Sequence, residues 1–248
     1  MIIDAHAHVG IDLVFEEVRS EAEIIAAMDA NKIDATIVQG MYGHIYLDEI
    51  RENHDRIARL AKQTPRRVFG MITMTPYLHE ADFYTEARRC VQELGFVGMK
   101  LHPLAFACSP LNARAEMMWK VCDELEIPLM VHTGAGVPLS LPSMVIRRCK
   151  QFPRVPCVLA HCGTLIYADE AFLAAHECPN VFLETSWTAP HHIIHAVKTF
   201  GAQRVLFAAD EIANVTTELA KYRSLPISSE ERDQCLWRTA NTVFRLGF

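Results

Sequence analysis

The chain is short of almost everything that would mark it as a membrane, nucleic-acid-binding or disulfide-stapled protein. No apolar run approaches the ~18 residues needed to span a bilayer, so no membrane is expected as a partner. There is no basic excess either: 24 Lys and Arg stand against 30 Asp and Glu, a net charge of −6, which leaves out the electrostatic footprint of nucleic acid. The eight cysteines contain no Cys-x-x-Cys pair and no repeated spacing. They read as reduced thiols packed like small apolar side chains, Cys162 included. No Gly-rich loop follows any apolar run, which removes the dinucleotide-binding fingerprint of a doubly wound sheet. Met1-Ile2-Ile3-Asp4 has no positive start followed by an apolar segment, so no leader and a cytoplasmic location are expected. With no Pro/Ser-rich linker, residues 1–248 are expected to form a single domain.

What is present is the material for a large core. Half of the residues are hydrophobic and 22% are charged, the balance of a globular protein. Short apolar runs begin near residues 2, 35, 68, 96, 128, 156, 181 and 205, with one amphipathic segment in each interval. Ser20, with Glu23 three residues on, is a capping box that starts the first of these helices. Strand-sized runs apolar on both faces, alternating with helices, predict an α/β fold: a single-domain (β/α)8 TIM barrel.

In such a barrel the chemistry sits at the carboxyl ends of the strands. There the polar residues collect: His6 and His8 on the first strand, Lys100 and His102 on the fourth, His132 on the fifth, His161 on the sixth, Glu184 and Ser186 on the seventh, and Asp210 on the eighth. His6 and His8 are two apart, so on a strand both imidazoles face one point, the geometry of half a metal site. One histidine ending a buried strand is more often a core residue bonded to a carbonyl. Six strand ends carrying ligand-type residues are hard to explain that way. His191 and His195, one helical turn apart, have no glutamate in a His-Glu-x-x-His setting and read as surface residues. Trp187 either walls the pocket or packs between barrel and helices.

Five motifs, Asp4-Ala5-His6-Ala7-His8, Met99-Lys100-Leu101-His102-Pro103, Val131-His132-Thr133-Gly134, Ala160-His161-Cys162-Gly163 and Leu206-Phe207-Ala208-Ala209-Asp210, follow one another at barrel spacing. Together they resemble the amidohydrolase superfamily of metal-dependent barrels, specifically amidohydrolase family 2, the branch that includes aminocarboxymuconate semialdehyde decarboxylase. Thr239-Ala240-Asn241-Thr242-Val243-Phe244 resembles the helix that closes many members.

The resemblance implies that His6, His8, His132 and Asp210 bind one divalent ion with an open position for water. Zinc is the expected cofactor, with manganese or iron as alternatives. His161 would serve as general acid/base, and Asp210 would both ligate and accept a proton. Lys100 and His102 would meet the substrate or, with a carboxylated lysine, a second metal. Glu184, at the end of the seventh strand, would either approach the metal or substrate or support the ligands from behind. The expected activity is hydrolysis of a C–N or C–O bond in a small organic molecule through a metal-activated water. Non-oxidative decarboxylation of an aromatic or muconate-like acid is the alternative, and a catalytically silent metal- or metabolite-binding barrel the rival from another class. A homo-oligomer would fit the short loops.

Overall fold

All eight apolar runs become parallel strands in the computed structural model, which describes residues 1–248. They are β1 (Ile3–Asp12), β3 (Ala35–Gly40), β4 (Val68–Thr73), β5 (Met99–Leu101), β6 (Leu129–His132), β7 (Cys157–Ala160), β8 (Val181–Glu184) and β9 (Val205–Leu206). A ninth, β2 (Glu17–Arg19), turns back antiparallel on the outer part of β1, with Ile11 opposite Val18. The sequence shows no such strand, because three residues are too few to display a period of two.

The sheet runs β2-β1-β3-β4-β5-β6-β7-β8-β9 and curls until its ends meet. Closure is thin, since β9 has two residues. Ala5 N–H donates to Phe207 O at 3.2 Å and Asp210 N–H to His6 O at 2.9 Å, giving a single parallel bridge between Ala7 and Asp210. Asp4 completes the seam: its Oδ1 accepts from Ala209 N at 2.9 Å and from His6 N at 3.2 Å. Burial pushes the Asp4 carboxyl up to about 7.

Side chains two apart on the strands, among them Ile3 and Ala5, Ala35 and Ile37, and Val158 and Ala160, form an inner apolar set with Met71, Met130 and Leu206. Ala240, Val243 and Phe244 of the last helix pack against it. A second and larger cluster fills the space between strands and helices. Helix Glu21–Asn31 begins at the expected capping box, with Ser20 N–H donating to Glu23 Oε2 at 2.8 Å and Glu23 N–H to Ser20 Oγ at 3.3 Å. The terminal helical stretch carries a π-type turn at Gln234–Arg238. Helix Val215–Ser224 was not expected; its buried Val215, Glu218, Leu219 and Tyr222 include a carboxylate, which breaks the apolar stripe. All eight cysteines are free and buried, as expected. No helix is long and apolar enough to cross a membrane.

One buried polar knot ties two helices to the end of β4. His54, on helix Leu47–Gln63, donates through Nδ1 to Glu86 Oε1 at 2.7 Å, while its Nε2 lies 3.2 Å from both N and O of Thr73. Arg51 and Arg89 reach the same Glu86 carboxylate at 2.8–3.1 Å. Burial alone would raise the Glu86 carboxyl, but His54, Arg89 and Arg51 together hold it well below the usual range. A depressed carboxyl stabilises the fold above the unfolded-state value of 4.5 and loses that contribution as pH falls further. Glu86→Gln should therefore lower stability by about 2 kcal/mol at pH 7. In urea titrations its deficit should shrink as pH drops below 4.5; a deficit that does not change with pH would contradict this account.

Candidate metal centre

The carboxyl ends of β1, β3, β5, β6, β7 and β9 converge on one cavity of about 220 Å³. Three donor atoms stand together in it. His6 Nε2 lies 3.1 Å from His8 Nε2, and Asp210 Oδ1 lies 3.2 Å from each. Donors sharing one first-row cation through bonds of about 2.0–2.2 Å have this mutual spacing. The strand period aims the two imidazoles, and the β1–β9 seam brings the carboxylate to them.

The protonation pattern also fits a cation. Glu184 Oε2 accepts from His6 Nδ1 at 3.1 Å, which fixes that tautomer and leaves the Nε2 lone pair facing the cavity. Gln39 Nε2 donates to His8 Nε2 at 3.0 Å, so that nitrogen is likewise unprotonated. Three acceptors within 3.2 Å repel one another unless a positive group lies among them. Lys100 Nζ, fully buried, donates to His6 Nε2 at 2.8 Å. Its own burial pulls Lys100 down to about 8, against the upward pull of Asp210 and Glu184. Burial, then Lys100, holds His6 well below the ordinary imidazole range. Burial would raise Asp210, but His161, His6 and His8 keep it well below the usual carboxylate value.

His132 lines the same cavity without joining the three. Its Nε2–H donates to Ala135 O at 2.9 Å, its Nδ1 lies 3.1 Å from His161 Nε2, and its ring stacks on His102 at 3.9 Å. To ligate beside His6 and His8 it must give up Ala135. Burial and Lys100 push His132 down to about 3. His161 is buried and held well below its ordinary value, chiefly by burial; Ser186 Oγ sits 2.7 Å from its Nδ1. Glu184 accepts from the backbone N–H groups of His161 and Ser186 as well as from the His6 ring, so one carboxylate holds the His6 imidazole and the backbone that carries His161. Asp210 and His161 have φ of +66° and +67°, left-handed conformations that turn the strand ends toward the cavity.

Other sequence candidates fall into place around this centre. Glu211, beside Asp210, accepts from Arg19 Nη2 at 2.8 Å, tying the β1–β2 hairpin to the end of β9. His191 and His195 belong to no cluster of mutually close donors. Gln39 and Tyr42 went unnoticed in the sequence, although Gln39 could have been found as the one polar side chain near the end of an apolar strand. Tyr42 is buried, edge-on to His102 at 4.6 Å and to His8 at 5.6 Å.

The sequence model of amidohydrolase family 2 matches residues 3–246. The chain belongs to that family. No curated protein sequence matches this amidohydrolase, but solved structures match it closely in shape. The 5-carboxyvanillate decarboxylase of Sphingomonas paucimobilis superposes with a TM-score of 0.80 at 14% identity, covering 98% of both chains. A dihydroxybenzoic acid decarboxylase from Polaromonas sp. JS666, solved with manganese and the inhibitor 2-nitroresorcinol, gives 0.80 at 18% identity over 100% of this chain and 97% of that one. The 4-oxalomesaconate hydratase of Rhodopseudomonas palustris gives 0.76 at 17% identity over 99% and 96%. These likenesses show the barrel, as the sequence predicts.

Metal analysis of variants tests the centre. His8→Ala and Asp210→Ala should lose stoichiometric metal, and Glu184→Ala should bind it ~10–100-fold more weakly through loss of its hold on His6. His132→Ala should keep most of its metal; retention by His8→Ala would exclude the donor triangle as the site.

Proposed function

We propose that this amidohydrolase is a metal-dependent, non-oxidative decarboxylase of a small hydroxylated aromatic or muconate-like monocarboxylic acid, acting through a single domain spanning residues 1–248. The observation that carries the proposal is Lys100. It is the one Lys or Arg lining the cavity, it is fully buried, and it stands 2.8 Å from His6. A buried ammonium beside a divalent cation leaves positive charge that Asp210 and Glu184 together do not balance; Glu17 and Glu211 are paired with Arg19 and Asp12 accepts from backbone N–H groups, so a substrate carboxylate supplies what is missing. The neutral amide or lactone of the first expectation, hydrolysis, would not. Two of the relatives above are decarboxylases by name, which adds to the case.

His6, His8 and Asp210 are the residues that would hold the cation. Its chemistry there is Lewis-acid polarisation of a substrate oxygen, which zinc or manganese can supply. The manganese of the Polaromonas enzyme makes that ion the second to test beside zinc. Lys100 pairs with the anionic end of the substrate. Phe15, Tyr42 and Leu104 flank its flat, apolar part. Carbon dioxide leaves as the C–C bond breaks, the electron pair stays on the substrate carbon, and that carbon takes a proton. His161 is the residue to transfer it, with Ser186 Oγ at its Nδ1 and its Nε2 hydrogen-bonded to His132 Nδ1 at 3.1 Å. The free thiols suit a reducing compartment such as the cytoplasm. Exposed Leu13, Tyr46, Leu104, Leu165 and Ile166, on loops after the strands, suit self-association.

Protein loaded with zinc or manganese should release carbon dioxide from hydroxybenzoates such as 2,6-dihydroxybenzoate. His161→Ala should reduce kcat by ~100-fold or more while metal content holds. A ring bearing a second carboxylate should react at least about tenfold less efficiently, because no second basic side chain meets it. Ammonia or acid release from amides or lactones, without carbon dioxide, would restore hydrolysis; no turnover of either kind would favour the silent barrel.

A further inference from the structure

Asp210 has two oxygens, and the donor triangle uses one of them. The other, Oδ2, accepts a hydrogen bond from the indole Nε1–H of Trp187 at 2.8 Å. Nothing about this tryptophan is accidental in geometry. The residue is 49% exposed, so apolar burial does not hold it. Its backbone sits at φ +59°, a left-handed conformation that a bulky side chain rarely adopts and keeps only where its surroundings enforce it.

The enforcement comes from helix Val215–Ser224. Trp187 N–H donates to Glu218 Oε1 at 2.9 Å, and Asn214 Nδ2 donates to the same oxygen at 2.9 Å. Lys221 ion-pairs with Glu218 and donates to Thr188 O at 2.8 Å, gripping the next residue of the same turn. Glu218 is almost fully buried, so this arrangement is built in and not a chance surface contact. A chain of direct bonds thus runs from the helix through Glu218 and the Trp187 backbone to its indole, and so to Asp210.

We propose that Trp187 is a positioning residue for the metal centre: its indole N–H engages Asp210 Oδ2, so that Asp210 offers the cation a single oxygen, Oδ1. This rests on the metal assignment made above. Asp210 then acts as ligand, its second oxygen is not free to take a proton from substrate or water, and the acid–base work falls to His161. The sequence expectation gave Asp210 both tasks.

Trp187→Phe keeps the ring and removes only the N–H. Zn²⁺ affinity, measured by competition with a chromogenic chelator, should fall ~10-fold or more in this variant, as for loss of other groups that orient a ligand. Far-UV circular dichroism should be unchanged. A second measurement needs no activity and no metal. In ¹⁵N-tryptophan-labelled protein the indole signal that Trp187→Phe removes belongs to Trp187, and its proton should exchange slowly with water in the wild type and rapidly in Asp210→Ala. Equal Zn²⁺ affinity in wild type and Trp187→Phe overturns the proposal alone, as does an exchange rate that Asp210→Ala leaves unchanged. If the wild type takes up no Zn²⁺ or Mn²⁺, the metal assignment falls and the proposal falls with it.

Discussion

The site depends on the seam between β1 and β9. Asp210 lies beyond a strand of only two residues, and what brings it within 3.2 Å of His6 and His8 is a handful of bonds between the barrel's ends. Asp4 takes part through its side chain, holding Ala209 and the backbone of His6 at once. The histidine pair is local, set by the two-residue period of one strand. The triangle is not local, because it exists only in the closed barrel. Stability and chemistry are therefore coupled here: whatever loosens the seam separates the carboxylate from the imidazoles.

The second constraint is electrostatic. Three acceptors are pressed together where water is scarce, and the bonds from His6 to Glu184 and from Gln39 to His8 leave both Nε2 atoms unprotonated. Lys100 lies against the same group. Burial lowers the proton affinity of the imidazoles and of the lysine, so the centre is poised to take a cation in place of protons. The same logic runs differently in the His54–Glu86 knot, where two arginines already satisfy the carboxylate and the groups serve only to join helices to β4.

The eight strands and most of their helices were legible because each strand is a short apolar run ending in a polar residue, and the same feature marked the site. His6, His8 and Asp210 stand out for that reason, and so does Glu184, which bonds His6 Nδ1. Less legible were features that depend on single side-chain bonds. The β2 strand is too short to show a pattern, Glu211 adjoins Asp210 in the chain but is claimed by Arg19, and His132 is turned toward Ala135. Helix Val215–Ser224 escaped notice because it buries Glu218 where an apolar residue would have marked its inner face. That carboxylate is also what holds Trp187, so one substitution in the pattern hid both the helix and its task.

The Arg19–Glu211 pair gives the cavity a mechanical property. The β1–β2 hairpin contributes Phe15 and Glu17 to the cavity wall, and its far strand is pinned to the residue next to Asp210. A ligand too large for the space cannot lift the hairpin without pulling on the backbone that carries the carboxylate. Cavity size and donor geometry are thus linked by one lever: a displacement of the hairpin is also a displacement of the backbone that carries the Asp210 carboxylate.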